Sequence, residues 1–360
     1  LIVGHFTKLK EAKMFEAMAL LCTLAGGDCR EAVLPGYAAE TEEACMAALQ
    51  AHPPDALASM VGIAPVFPTC KPRPPSTLEV TEVAPETFVH RGAVEEPGPG
   101  NGGDVANLAF VIGGDGVVVI DAGGSRAEGE AVYLAIRART EKPITHLILT
   151  HMHPDHIFGA APIKEAGAEV IGREGLTRAM AEREGTYEGN FARFIGQPGF
   201  LGTRMVAPDR EVGAEESLDI GGHVLALSSQ PLAHTATDLT VLDKSTDLLF
   251  SGDLVFDSHT PTLDGSLLGW RRVLAALGAG PATRVVPGHG GPILPWPGGG
   301  TDTDRYLSVL ETDARAAIKA GEPLSKASRT IGLSEAGHWR LFDAYNARNA
   351  TAAFTELEWE

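Results

Sequence analysis

The sequence predicts an α/β protein whose strands end on metal-binding types of side chain, preceded by a small helical, cysteine-bearing module. Three observations carry this expectation. Apolar runs of strand length alternate with helical stretches through most of the chain, several of those runs are followed directly by His or Asp, and all four cysteines lie within the first seventy residues.

The N-terminal module predicts one helix over Lys8 to Ala25 and a second near Thr41 to His52. Met14 to Ala25 is apolar and follows Lys8, Lys10 and Lys13, a layout shared with signal peptides. Glu16 inside the run and the lack of a small-residue cleavage site argue for mature protein, with the first dozen residues a candidate leader remnant. Cys22, Cys29, Cys45 and Cys70 predict two disulfides with three pairings open, and hence an oxidising compartment, periplasmic or secreted. No Cys-x-x-Cys pair supports a zinc knuckle, which leaves free buried thiols as the alternative. Pro65, Pro68, Pro72, Pro74 and Pro75 read as a linker. The expected division is 1–75 for the module and linker, 76–320 for the catalytic domain and 321–360 for a helical C-terminal extension packed on it.

Next comes a hairpin, Asn107 to Gly113 and Gly116 to Asp121, joined through Gly-Gly-Asp-Gly at 113 to 116. The apolar run from His146 to Thr150 then leads into His151-Met-His153-Pro-Asp155-His156. In extended backbone alternate side chains share a face, so His151 and His153 can reach one ion. Asp155 and His156 fall on the following turn and can serve a neighbouring ion. Imidazole nitrogen and carboxylate oxygen are donors that zinc accepts. Three further apolar runs end in the same way: 223–233 on His234, 248–252 on Asp253, and 284–288 on His289. Seven donors from four strand ends make a two-metal site, three side chains on each ion and the Asp253 carboxylate shared between them.

This donor set, together with the hairpin ending on Asp121-Ala-Gly123, resembles the metallo-β-lactamase superfamily over roughly residues 78 to 315. The resemblance implies an αβ/βα four-layer sandwich, two mixed sheets face to face with helices outside and the metals at one edge. Helical signals at Glu128 to Arg139, Ile157 to Ala166, Leu176 to Arg183, Trp270 to Leu277, Asp304 to Ala320 and His338 to Glu358 fit that expectation. It further implies a dinuclear zinc hydrolase that uses a metal-bridging hydroxide on an ester, thioester, lactone or amide-type bond, with Asp155 as catalytic proton carrier. Asp121 is expected to support the ligand loop without binding metal.

Departures from relatives narrow the choice. His153 stands where an oxygen-reducing di-iron branch carries Glu, and Asp253 where antibiotic-hydrolysing members carry Cys or Ser. The Gly252-Asp253 pair is similar to glyoxalase II, lactonase and persulfide dioxygenase members, while Ala-His234-Thr-Ala-Thr departs from the Gly-His-Thr-x-Gly of thioesterase-like members. The cysteine-bearing module, Leu34-Pro-Gly36 and Asn346-Ala-Arg-Asn349 also resemble the quinoprotein relay system zinc metallohydrolases. The alternative within the same fold is a mononuclear iron (one Fe2+) persulfide dioxygenase, and a metal-binding protein without turnover stands behind both.

Substrate contacts are expected from Gly185 to Phe200, a glycine-punctuated aromatic stretch read as a lid, with Tyr187 and Phe191, and from His259. Asp264 and Trp270 raise the same question; the last helix carries no expected chemistry. The partner is a small-molecule substrate. A net charge of −18, with 47 acidic against 29 basic residues and no basic cluster, disfavours nucleic acid. No apolar stretch is long enough to span a membrane, and oligomeric state is left open.

Overall fold

The computed structural model describes residues 13–54, 57, 64 and 67–359. Its first unit is a three-stranded antiparallel sheet formed by β1 (Phe15–Cys22), β2 (Cys29–Ala39) and β3 (Thr69–Pro72), in the order β2-β1-β3, with helix α1 (Glu42–Ala51) against it. Thr41 caps α1 by accepting from the Ala44 N–H. The helix expected over Lys8 to Ala25 is therefore corrected: from Phe15 it is a strand, and Lys8 to Glu11 with Ala12 lie outside the described residues. The Ala, Leu and Met content favours helix locally, but both faces of β1 are buried and the chain doubles back through Gly26 and Gly27, both at positive φ. Cys22–Cys29 closes that hairpin and Cys45–Cys70 ties α1 to β3, so the two disulfides are Cys22–Cys29 and Cys45–Cys70. Within the Pro-rich stretch, Thr69–Pro72 is thus a paired strand.

The seven-stranded sheet follows: β4 (Val80–Ala84), β5 (Thr87–His90), β6 (Leu108–Ile112), β7 (Val117–Ile120), helix α2 (Arg126–Arg137), β8 (Ile144–Ile148), helices α3 (Pro154–Ile157) and α4 (Ala160–Glu165), β9 (Glu169–Arg173), helices α5 (Leu176–Ile195) and α6 (Gln197–Phe200), and β10 (Arg210–Val212). The order is β10-β9-β8-β7-β6-β5-β4, antiparallel from β4 to β7 and parallel from β7 to β10. The six-stranded sheet runs in sequence order through β11 (Glu215–Asp219), β12 (Val224–Ser229), β13 (Leu239–Asp243), β14 (Leu248–Phe250), β15 (Arg284–Val286) and β16 (Leu294–Pro295), with helix α7 (Leu267–Gly278) between β14 and β15. Helices α8 (Thr301–Lys319), α9 (Leu324–Ala327) and α10 (Phe342–Leu357) complete the chain.

Period-two alternation makes the layers. In β6, Ala109 and Val111 face the second sheet and meet Leu225, Leu227, Val241 and Phe250 in one core. Leu108, Phe110 and Ile112 face the other way, onto a core with Tyr133, Ile136, Phe158 and Phe191 from the helices. On the far side of the second sheet, Leu249 and Val285 pack with Trp270, Tyr306, Leu310, Phe342 and Phe354. Helix, sheet, sheet and helix thus stack as an αβ/βα sandwich.

The N-terminal sheet is bolted to α2 by buried ion pairs. Arg126 is fully buried and bonds Glu130, Glu165 and the Val33 carbonyl. Arg30 bonds Glu130 and the Leu201 carbonyl, and buried Glu16 accepts from Arg73 and Tyr133. Glu16, which in sequence argued against a signal peptide, is a buried partner in this contact.

Candidate metal centre

Strand direction brings the donors together. β7 and β8 are parallel, so their C-terminal ends share an edge; β12 and β14, each antiparallel to β13, run with parallel β15 and end at that edge too. The exit of β8 carries His151 and His153, and Pro154 starts α3 immediately after, placing Asp155 and His156 on its first turn. His234 follows β12, Asp253 sits in a single helical turn after β14, and His289 follows β15.

The seven side chains fall into two groups. One donor atom each from His151, His153, His234 and Asp253 lies within 4.8 Å of the others, and the same holds for Asp155, His156 and His289. Asp253 stands between the groups. Its Oδ1 is 3.1 Å from His156 Nε2, and its Oδ2 is 3.7 Å from His151 Nε2, 3.5 Å from His234 Nε2 and 3.3 Å from His289 Nε2. Asp155 Oδ2 is 3.4 Å from His289 Nε2, and His153 Nδ1 is 3.0 Å from His234 Nε2.

The nitrogen that turns away from the cluster is anchored in each ring, which fixes the tautomer. His234 Nδ1–H donates to the Thr262 carbonyl at 2.7 Å and His289 Nδ1–H to the Val105 carbonyl at 2.8 Å. His156 Nδ1–H donates to Asp121 Oδ2 at 2.8 Å. Thr150 Oγ1 donates to that same oxygen at 2.8 Å and so accepts from His151 Nδ1–H at 3.0 Å. His153 instead turns Nε2 to Asp264 Oδ2 at 3.4 Å, which leaves Nδ1 inward. Asp121, held at φ 58°, therefore orients two of the histidines and contributes no donor to the cluster.

The electrostatics ask for positive charge among these donors. Burial pushes His151 well below the ordinary imidazole value, with His156 adding to it, and burial takes His234 down to about 3. Burial is the largest influence on His156 and His289 and opposes their charge, yet the carboxylates around them, Asp253 foremost, with Asp155 at both and Asp121 at His156, together raise both. Burial resists ionisation of Asp253, but His289, His156 and His151 hold its carboxylate well below the usual range. His151 Nε2, His156 Nε2 and Asp253 Oδ1 are buried without any hydrogen-bond partner. Inward lone pairs with no proton to accept, around a carboxylate, are a donor set that fits divalent metal.

A cleft of about 390 Å³ opens onto this cluster. Tyr187, Phe191 and Phe194 of α5 form its apolar wall, and His259, Asp264, Arg183, Tyr345 and Arg348 line it as well. The expected lid over Gly185 to Phe200 is a correction: α5 runs unbroken to Ile195, and Gly185 and Gly189 lie inside it. Phe191 is largely buried against Phe158. His259 is buried, lies tilted against His289 with ring centroids 4.8 Å apart, and donates Nδ1–H to the Thr260 carbonyl at 2.7 Å; burial and His289 lower it to about 4. Trp270 packs edge-on to His234 at 5.2 Å. A larger cavity of about 530 Å³ lies on the outer face of β11 to β13, away from every donor.

Helix α10, expected only to pack, does more. Asn349 Nδ2 donates to the Pro261 carbonyl at 2.6 Å and its Oδ1 accepts from the Leu263 N–H at 2.9 Å, clamping both sides of Thr262, which holds His234. Arg348 bonds Asp264 at 3.0 Å. No sequence spacing announces these contacts, because 84 and more residues separate the partners.

A layered α/β sandwich with a His/Asp centre at one sheet edge defines the class. The Metallo-beta-lactamase superfamily model matches residues 101–289, and the chain belongs to that superfamily. Among curated proteins, the acyl-coenzyme A thioesterase MBLAC2 of Bos taurus is 26% identical over 214 residues, covering 52% of this chain and 74% of that protein. Among solved structures, a metallo-beta-lactamase from Pontibacter korlensis is 23% identical with TM-score 0.53, covering 64% of this chain and 99% of its own. The sec-alkylsulfatase Pisa1 from Pseudomonas sp. is 19% identical with TM-score 0.58, covering 78% of this chain and 50% of its own. Those two likenesses speak to the fold. Family membership and the thioesterase relative support a metal-dependent hydrolase.

Proposed function

We propose that the chain is a dinuclear zinc hydrolase acting on a small acyl substrate, with a thioester or ester as the favoured bond. The observation that carries this reading is the Asp253 carboxylate, within 3.7 Å of four imidazole nitrogens, two from each donor group. His151, His153 and His234 would hold one zinc, Asp155, His156 and His289 the other, and Asp253 both. Bound zinc supplies hydroxide from water at neutral pH and polarises the scissile carbonyl. Asp155 borders the cleft and takes the proton released as the acyl group is attacked. The wall of Tyr187, Phe191 and Phe194 receives the apolar part of the acyl group and keeps water from it. His259, locked to a backbone carbonyl and packed against His289, shapes the cleft floor.

Thioester leads because the curated relative is an acyl-coenzyme A thioesterase, although the change at Ala233 and Thr237 from the glycines of the thioesterase-like pattern leaves the acyl carrier open. Two disulfides support an oxidising compartment, periplasmic or secreted, and with it the likeness to the quinoprotein relay system group. No helix among the described residues is long and apolar enough to cross a membrane. The reading keeps the three-part division at 75 and 320.

The test is thiol release from acyl thioesters and hydrolysis of esters and lactones by zinc-loaded protein, against His289→Ala. Loss of turnover in the variant supports the dinuclear reading. Turnover that survives His289→Ala, with oxygen uptake on a persulfide, would assign the chain to the mononuclear iron alternative.

A further inference from the structure

A second set of metal-type donors sits where the β5–β6 loop meets the N-terminus of α2. His90 closes β5, Asp104 follows the Asn101–Gly103 turn, and Glu128 lies in the first turn of α2. One donor atom from each lies within 4.8 Å of the others. His90 Nδ1 is 2.8 Å from the Glu79 carbonyl, which can only accept, so Nδ1 carries the hydrogen. Nε2 lies 2.8 Å from Asp104 Oδ1, where a neutral ring presents a lone pair and a protonated ring an N–H.

Glu128 is the telling member. It is 6% exposed, and its Oε2 accepts from the Gly124 N–H at 2.8 Å. Its Oε1 is buried with no hydrogen-bond partner at all. Gly123 makes room for this carboxylate: a Cβ there would stand 2.2 Å from the Glu128 carboxyl carbon. A buried carboxylate beside another carboxylate needs positive charge nearby. Protons could supply it, one on His90 and one on Glu128, but a protonated Oε1 would need an acceptor at hydrogen-bond distance, and none is there. A divalent cation balances both carboxylates and uses the imidazole lone pair.

We propose that His90, Asp104 and Glu128 bind a divalent cation of the zinc or manganese kind, separate from the His/Asp centre. Such an ion sits about 2.0–2.2 Å from its donors, so small side-chain rotations close the site. It pins the β5–β6 loop, which carries Glu95, Glu96 and Pro97 to the cleft, onto β5 and α2. Its role is to fix the shape of that cleft wall.

The test counts zinc by elemental analysis in four full-length proteins dialysed from zinc: the parent, Glu128→Gln, an Asp253→Ala/His234→Ala protein, and the same protein with Glu128→Gln added. Gln keeps the volume of Glu128 and an acceptor for the Gly124 N–H. The expected result is a loss of one equivalent on adding Glu128→Gln to either background. No loss in either pair would overturn the proposal, since Gln mimics a Glu128 that is merely protonated. A loss only when the His/Asp centre is intact would overturn it too, by tracing the ion to that centre. Should Glu128→Gln fail to fold, Asp104→Asn on its half-exposed turn gives the same reading. The comparison of pairs does not depend on how many ions the main centre holds.

Discussion

Replacing Gly288 by Ala should disable the centre while leaving the fold standing. Gly288 precedes His289 and lies directly against the shared carboxylate. A Cβ there would stand 1.9 Å from Asp253 Oδ1, where ordinary contact begins near 3.4 Å, so something must move by about 1.5 Å. The backbone has little freedom to yield: the Gly288 N–H donates to the Val255 carbonyl at 3.1 Å, and the Gly288 carbonyl accepts from the Asn107 N–H at 2.7 Å. The carboxylate gives way instead, and it is the group within 3.3 Å of His289 and 3.1 Å of His156. Misplacement of reacting groups by roughly 1 Å costs about 100-fold in rate. The expected outcome is a fall of that order or greater in thioester hydrolysis, with reduced zinc content and an unchanged circular dichroism spectrum. Parental turnover and parental zinc in Gly288→Ala would refute the seat assigned to Asp253.

Asp121→Asn should lower metal affinity by about 10- to 100-fold, read by competition with a chelator, because Oδ1 accepts from the Thr150 N–H while Oδ2 accepts from Thr150 Oγ1 and His156 Nδ1–H, and an amide puts a donor in place of one of these oxygens. Gly185→Ala should raise stability by about 0.5–1 kcal/mol in urea melts, because Gly185 is an exposed residue inside α5 with nothing within 4 Å of a new Cβ. Glu335 should contribute to acid sensitivity: burial works to raise it, but Arg305 and Trp339 hold its folded value below 4.5. A depressed folded value means stability present above pH 4.5 and lost as pH falls from there through the lowered value. The gap in stability between the parent and Glu335→Gln should therefore shrink on acidification below pH 4.5, and a gap that widens would contradict the assignment.

Much of the centre is legible in the sequence because its logic is local. A strand exit is marked by an apolar run that stops, and the donor sits within a few residues of the stop, as at Thr150, Gly252 and Gly288. What spacing does not reveal is support from far along the chain. Asn349 clamps the segment that holds His234, and Arg348 and Tyr345 reach the cleft from α10, yet each sits in a helix whose pattern reads as plain packing. The N-terminal sheet is hidden for a different reason. Phe15 to Cys22 is rich in helix formers, and its conformation is set by burial on both faces and by Cys22–Cys29. The glycine pair at 26 and 27, between two apolar runs, is the signal that points to the hairpin. Gly185 and Gly189 mislead in the opposite sense: they suggest a hinged lid, while the apolar side of α5, anchored by Phe191 and Ile195, holds one continuous helix.

The central claim is that one carboxylate, Asp253, joins two metal sites. Elemental analysis of the parent beside Asp253→Ala and His289→Ala tests it most directly. The account predicts that Asp253→Ala loses two zinc per chain and that His289→Ala loses one together with hydrolytic turnover. A parent holding iron at the His151, His234 and Asp253 group, with content and activity untouched by His289→Ala, would contradict it.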